Sequence, residues 1–206
     1  CKSKNAKIGI FSIFVAHKRM NMEQNVFQKN MWNTAGKAGL ALGSLSTAYL
    51  FLTQWIGQAE MPAFISIVLN MLLWAVKFGG CIWLMMLFMK AFAAENPETD
   101  NSGTFKLGMA MALLSALVYS AFSFANVAFI NPDLFTGQMD MMMQQMAPML
   151  DSNTAAEMDR TMQNLPQITF FSNLIYCFIY GTILSFALSR SIPSKDPFAN
   201  YRPEEQ

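Results

Sequence analysis

The chain has 206 residues, of which 53% are hydrophobic and only 13% are charged, and its formal net charge is +1. A soluble domain carries about 25% charged residues, so this supply is too small for a water-facing surface. The low net charge also argues against nucleic acid as a partner, because a polyanion requires a concentrated basic face. The single histidine and three cysteines fit no metal-ligand spacing, so we expect no metal and no cofactor.

Four apolar runs determine the predicted class of protein. Each run reaches the ~20 residues that a helix needs to cross about 30 Å of hydrocarbon. Prolines mark their boundaries: Pro62 precedes the second run, Pro132 follows the third and Pro166 precedes the fourth. The sequence therefore predicts an all-α fold, an integral membrane four-helix bundle with spans at about 35–56, 63–88, 107–130 and 168–188.

Positive charges are distributed unevenly around these spans. Lysine and arginine concentrate before the first span, between the second and third spans, and in the tail, whereas the long third connection holds only Arg160. Such residues favour the cytoplasmic side of a membrane. We therefore expect a cytoplasmic segment at 1–29, a single transmembrane domain at 30–190 with an outer loop at 131–167, and a cytoplasmic tail at 191–206.

The amino end allows three interpretations. In the one that we favour, Met22 is the natural start and residues 1–21 do not belong to the native protein. In the second, these residues are a native cytoplasmic extension. In the third, Cys1 carries a lipid, which would place the following lysines outside, against the charge bias.

Two pairs of helices have similar sequences, which suggests an internal duplication. The run 37–46 matches the run 106–115, with lysine, glycine, alanine, leucine and serine at the same offsets. A fainter match between the second and fourth helices sets Lys77 opposite Tyr180. Two duplicated hairpins would form a parallel repeat about an axis along the membrane normal. Shared membrane-helix composition is the alternative explanation.

Small residues spaced four apart form ridges on three of the predicted helices. Such ridges let backbones approach closely where no hydrophobic effect drives association. Three ridges on four helices predict one compact bundle, with a homodimer face as the alternative. The residues are Gly39 and Gly43 on the first helix, Gly108 and Ala112 on the third, and Gly181 and Ser185 on the fourth.

Lys77 is the one charged residue within the second span, and it lies near the middle of that span. It is too deep for its stem to reach water, and the four spans contain no Asp or Glu to pair with it. Three states remain open: an ammonium neutralised by desolvation, a charged one in a hydrated vestibule, or one paired with an acidic group of a lipid, solute or partner. We favour a structural lysine held by hydroxyls and carbonyls; a lysine that faces a ligand or partner, and a misjudged helix depth, are the alternatives. The candidate polar site comprises Lys77, Asn70, Trp74, Tyr119, Asn126, Asn173 and Tyr180, without a catalytic role.

The outer loop contains the methionine-rich stretch "MDMMMQQMAPML". Met139, Met142, Met143 and Met146 follow helical spacing, which predicts an amphipathic helix lying on the membrane or the bundle mouth. A second short helix bearing Met158 and Met162 would begin at a cap within 151–153. Binding of Cu(I) by the thioethers is the alternative interpretation.

The runs "WAVKFGGCIWLMMLFMK", "DNSGTF" and "FFSNLIYCFIYGTILSFALSRSIPSKDPF" resemble the domain-of-unknown-function 4199 family of bacterial membrane proteins. The resemblance covers roughly Asn25 to Phe198. It implies four helices in a bacterial inner membrane and assigns no chemistry to any residue. It further implies an association with genes for polyprenyl-phosphate sugar transferases, and hence with envelope lipid or glycan processes.

Two functions follow from these features. The first is a non-enzymatic accessory or interaction protein in envelope processes, whose partners are membrane lipid and another membrane protein or a second copy of the chain. The alternative is a small transporter or lipid-handling protein in which Lys77 attracts an anionic group. An enzyme ranks third because no convergent acid, base, nucleophile or metal set is visible.

Overall fold

The computed structural model describes residues 2–59, 61–96, 99–146, 161 and 164–192, and within them side chains from Phe27 onward, apart from those of residues 138, 139, 142, 143 and 146. This part of the chain is helical and contains no strand, which confirms the all-α prediction. The helices are α1 (Lys2–Gln58), α2 (Ala63–Glu95), α3 (Asn101–Ala125), α4 (Pro132–Met146) and α5 (Leu165–Ser191). One π-helical turn, Asn126–Ile130, joins α3 to α4.

The first helix is longer than predicted. Instead of beginning near residue 35, α1 runs without a break from Lys2 to Gln58. No proline occurs before Pro62, so no residue in this stretch removes a backbone donor or forces the helix to end. The start at Met22 and the cytoplasmic location of residues 1–29 stay predictions.

Three of the described helices are long and apolar enough to cross a membrane: Ala63–Glu95, Asn101–Ile130 and Leu165–Ser191. Their bounds extend the predicted second, third and fourth spans by a few residues at one or both ends. α1 is not among them, because polar residues lower the mean hydropathy of its predicted span. These residues include Ser44, Ser46, Thr47, Thr53 and Gln54. The chain is thus a multi-pass membrane protein, and a crossing by α1 stays a prediction.

α3 lies at the centre of a bundle formed with α1, α2 and α5. It packs most extensively against α5 and then against α1, while α2 packs mainly on α1. Gly39 faces Leu114 and Gly43 faces Val118, so the residue numbers of α1 and α3 rise together and these helices are parallel. Gly181 faces Ala112, one helical turn from the contact between Gly108 and Ser185, so α3 and α5 are antiparallel.

The small-residue ridges lie in these two interfaces. A Cβ added at Gly39 or at Gly43 would lie 2.6 Å from the Cβ of Leu114 or of Val118, and one added at Gly181 would lie 2.6 Å from the Cβ of Ala112. The ridges therefore bring helices of the same chain together, as the compact-bundle interpretation requires. The homodimer alternative stays a prediction.

Different helices contact the two glycines that the proposed duplication aligns. Gly39 packs in the α1–α3 interface, whereas Gly108 packs against Ser185 in the α3–α5 interface. An exact two-fold repeat would give aligned residues equivalent neighbours. The helix contacts of these glycines therefore depart from two-fold symmetry, and the duplication stays a prediction from sequence.

The apolar core occupies the end of the bundle near the α2–α3 connection. Its fully buried large side chains are Met89, Phe92, Leu107 and Met111. At this end the "DNSGTF" turn starts α3, because the Asp100 carboxylate accepts a 2.7 Å hydrogen bond from the backbone N–H of Gly103.

The opposite end of the bundle carries α4, which confirms a helix in the predicted outer loop. The methionine side chains that define its predicted apolar face, at 139, 142, 143 and 146, lie outside the described side chains. The predicted cap at 151–153, Met158 and Met162 also lie outside the described residues, and with them the copper alternative.

Candidate functional site

A cavity of about 80 Å³ lies between α1, α2, α3 and α5. One buried water needs roughly 10–15 Å³, so the cavity has room for several waters or a small polar group. It reaches the surface of the bundle at Tyr176 and Tyr180, which are 64% and 36% exposed. Its polar lining consists of Ser46, Lys77, Cys81, Ser115, Tyr119, Tyr176, Cys177 and Tyr180, and the remainder is Leu42, Phe78, Met85, Ala112, Gly181 and Leu184.

Aromatic rings surround the Lys77 ammonium. Its Nζ lies 4.6 Å from the ring centroid of Tyr49, 5.3 Å from that of Tyr119 and 5.7 Å from that of Phe78. A cation within about 6 Å of a ring face is attracted by the ring quadrupole, and more strongly when it is desolvated. The described lining residues include no carboxylate. The structure thus places Lys77 in a cavity with aromatic neighbours and no acidic counter-charge among its described lining residues.

Three of the predicted site residues line this cavity together, namely Lys77, Tyr119 and Tyr180. The Tyr180 ring meets the Phe78 ring edge-on at 5.4 Å. Trp74 lies at the rim: its ring is 4.5 Å from that of Phe78, and 54% of the residue is exposed. The structure therefore assembles residues from three helices around a single lysine.

The three predicted asparagines lie elsewhere. Asn70 donates a 2.9 Å hydrogen bond to the carbonyl oxygen of Ser66 on its own helix. Asn173 donates from Nδ2 to the Ser123 Oγ at 2.8 Å, which links α5 to α3 beyond the cavity. Asn126 is fully buried at the start of the π turn. None of them lines the cavity. Asn70 lies about two turns from Lys77 along α2, and Asn126 and Asn173 lie about two turns and one turn from the lining residues Tyr119 and Tyr176.

Residues of α1 and two cysteines were missed by the sequence interpretation. Tyr49 is the closest ring to the ammonium, and Ser46 lies three residues before it, with its Oγ 4.0 Å from the Cys81 Sγ. Cys81 and Cys177 also line the cavity. The alignment of Ser46 with Ser115 was the available signal for α1, since residues three apart share a helix face.

The cavity lies between the two proposed hairpins. The alignment pairs Ser46 with Ser115 and Lys77 with Tyr180, and all four residues line the same cavity. A site with aligned positions from both halves is typical of membrane proteins built from repeats. This observation favours the duplication, in contrast to the unequal glycine contacts described above.

These features define the class: an all-α, multi-pass membrane protein with a lysine-containing cavity among its long helices. The family model described as protein of unknown function (DUF4199) matches residues 35–190, and the chain belongs to this family. The comparisons with curated proteins and with solved structures gave no match. The family membership agrees with the resemblance stated from sequence and assigns no role to the cavity.

Proposed function

We propose that this protein is a non-enzymatic protein of the bacterial inner membrane, with both termini in the cytoplasm, that binds an anionic group at Lys77. The ligand class is a phosphate or carboxylate, carried by a lipid head group or by a small solute. Transport or presentation of that ligand to another envelope component would be the biological role.

The observation that carries the proposal is the position of the Lys77 Nζ. It lies against the rings of Tyr49 and Tyr119 in a cavity whose described lining has no carboxylate. A charged side chain deep in a membrane is costly unless it is paired or hydrated, and such residues usually mark a functional pathway. The rings offset part of that cost by cation–π attraction. An incoming anion would supply the missing negative charge.

The surroundings of the cavity favour a lipid as the source of the anion. The cavity reaches the bundle surface beside the exposed Tyr176 and Tyr180, and the exposed side chains nearby are apolar, including Trp74 and Ile179. A head group can therefore enter while its acyl chains stay against these apolar residues. A soluble anion would instead have to reach the same point through water.

Ligand-dependent stability in mild detergent tests the proposal. Phosphatidylglycerol should raise the melting temperature of the unaltered protein more than phosphatidylcholine does, because only the former carries net negative charge. Lys77→Met should abolish this difference. Lys90→Met is the matched control, since Lys90 is an exposed lysine on the same helix, and it should keep the difference. A parallel titration with inorganic phosphate distinguishes a solute from a lipid.

Anion binding at this site would be rejected if phosphatidylglycerol and phosphate each changed the melting temperature of Lys77→Met as much as that of the unaltered protein.

An accessory role through contact with another membrane protein is the second candidate. The weak burial of α2 favours it, since only 6% of its most apolar window is buried, against 28% in the helix at the bundle centre. The unpacked face of α2 includes Phe64, Met71 and Trp83. Photo-crosslinking from position 83 should trap a protein partner if this role is correct, and lipid alone if it is not.

A further inference from the structure

One face of α3 is polar beyond the Lys77 cavity, towards the end of the bundle that carries α4. Ser115 and Tyr119 line the cavity, and Ser123 and Asn126 follow at steps of four and three residues. Residues at these steps share one face of a helix. With a rise of ~1.5 Å per residue, Asn126 lies roughly 10 Å along the axis from Tyr119. The polar face therefore joins the cavity to the last turns of α3.

Two fully buried polar groups, one near the end of α3 and one at the start of the π turn, have no hydrogen-bond partner among the described residues. Asn126 accepts a 2.9 Å hydrogen bond at Oδ1 from the Nδ2 of Asn131, but its own Nδ2 meets no acceptor. The Ser120 Oγ is likewise unpaired within the described part of the chain. Between them, Ser123 accepts the hydrogen bond from Asn173 that crosses to α5.

Unpaired buried donors are costly, and more so in hydrocarbon, because no bulk water reaches them there. Proteins usually satisfy such groups with ordered water. The Nδ2 of Asn126 can only donate, so its partner must offer an acceptor oxygen. The group also lies in a π turn, closed by a 2.9 Å hydrogen bond from the backbone N–H of Asn131 to the carbonyl oxygen of Asn126. Such turns occur frequently at functional sites.

We propose that Ser120, Ser123, Asn126 and Asn173 form a second polar site, which binds a row of water molecules and connects the Lys77 cavity to the α4 end of the bundle. The row gives a hydrated anion access to Lys77 from that end, as an alternative to entry of a lipid head group beside Tyr176 and Tyr180. That purpose rests on the function proposed above, whereas the binding of water does not.

The opposite end of the cavity is closed, so water can approach along the bundle from the α4 end but not from the end near the α2–α3 connection. Beyond Met85, which lines the cavity, the bundle interior is filled by the buried side chains of Met89, Phe92, Met111 and Leu188. These four side chains offer water no hydrogen-bonding partner, and the buried hydroxyls of Ser185 and Ser189 already donate to backbone carbonyls. We therefore expect this part of the interior to stay dry.

Substituted-cysteine accessibility tests the route in the full-length protein. With Cys1, Cys81 and Cys177 replaced by alanine, Ser123→Cys should react with a small, charged, membrane-impermeant thiosulfonate. Asn126→Cys should react faster because it lies nearer the α4 end. In vesicles of both orientations, the reagent should label Ser123→Cys only from the side of the membrane on which α4 lies.

Two matched controls lie on the same helix. Ala116→Cys replaces a residue that is 1% exposed, and Leu113→Cys replaces one on the outer, apolar surface. Both should stay unmodified until the protein is denatured, because neither thiol would meet water. Labelling of both controls at the rate of Ser123→Cys would mean that the whole helix is open to reagent, and would overturn the proposal.

An unreactive Ser123→Cys in a monodisperse protein would also overturn the proposal. Asn126→Cys removes the hydrogen bond to Asn131 and can loosen the π turn, so Ser123→Cys decides the outcome if that variant aggregates. If both aggregate, hydroxyl-radical footprinting of the unaltered protein decides. Bound water should cause oxidation of Val127, which is buried beside Asn126, and spare the more reactive but dry Met89; sparing of both residues would reject the route.

Labelling at Ser123→Cys and Lys77-dependent anion binding, measured together, distinguish failure of the water route from failure of the proposed function. Labelling of Ser123→Cys together with anion binding that does not depend on Lys77 would keep the water route and reject the Lys77 site. Anion binding that depends on Lys77, without labelling at Ser123→Cys, would reject the route and mean that the ligand enters directly from the bilayer.

Discussion

The Nζ of Lys77 on α2 lies 4.6 Å from the ring centroid of Tyr49 on α1. This contact joins two helices that are consecutive in the chain. Since the Tyr119 ring on α3 is 5.3 Å from the same nitrogen, one ammonium contacts rings on two neighbouring helices. Lys77 is therefore part of the bundle's packing as well as the centre of its candidate site.

Lys77→Met separates the contribution of Lys77 to packing from its contribution to the candidate site. The change keeps a long flexible stem and removes an ammonium whose insertion costs roughly 2.5–3.5 kcal/mol at the centre of a membrane helix. Because lost cation–π contacts of about 0.5–2 kcal/mol each offset that gain, we expect the melting temperature in detergent to hold or rise. Complementation of a deletion strain should fail. Full complementation at an unchanged melting temperature would refute a functional role for the lysine.

Substitutions of Tyr49 test the cation–π contact directly. Tyr49→Phe keeps a ring face and should leave stability nearly unchanged, whereas Tyr49→Leu should lower it by about 0.5–2 kcal/mol. In the Lys77→Met background the difference between the two variants should shrink, since the cation is gone. A double-mutant cycle of unfolding free energies measures this coupling. Equal differences in both backgrounds would show that the ring contributes packing only.

Gly181→Ala tests the α3–α5 interface. The added Cβ would lie 2.6 Å from the Cβ of Ala112 and 3.3 Å from its Cα, so the two helices must move apart. We expect a loss of roughly 1–3 kcal/mol in unfolding free energy, typical of overpacking.

Gly79→Ala is the control for Gly181→Ala, because nothing lies within 4 Å of its added Cβ. Within a helix this change should be neutral or stabilise by up to about 1 kcal/mol. Equal melting temperatures for Gly79→Ala and Gly181→Ala in detergent would mean that the close approach of α3 and α5 is not maintained in solution.

Reporter fusions test the predicted orientation and the crossing by α1. A reporter that is active only outside the cytoplasm should work near Gly57 and near Asp151, and should fail near Pro97 and after Pro203, because positive charges flank the latter two sites. Activity near Pro97 would contradict the orientation. Inactivity near Gly57 would mean that α1 does not cross.

Some features of the fold and the site could be predicted from the sequence, and others could not. The position of Lys77 within an apolar run and the absence of an acidic residue from the predicted spans could be read directly from the sequence. The spacing of Gly39, Gly43 and Gly181 likewise predicted close helix packing. Tyr49 was missed because the sequence does not show which face of α1 turns towards Lys77. The continuous α1 was missed because a charged, weakly apolar stretch carries no periodic signal that separates a helix from a tail.

The sequence by itself determined the class of this protein and the identity of its unusual charge. Long apolar runs allow only helices in a membrane, since every backbone hydrogen bond must then be made within the segment. Which side chains meet was decided by the tertiary structure. The helix crossings placed Tyr49, Tyr119 and Tyr180 around Lys77 and put Asn126 and Asn173 one layer away. Helical periodicity specifies a residue's face, whereas the relative rotation and axial shift of two helices follow from packing between residues distant in sequence.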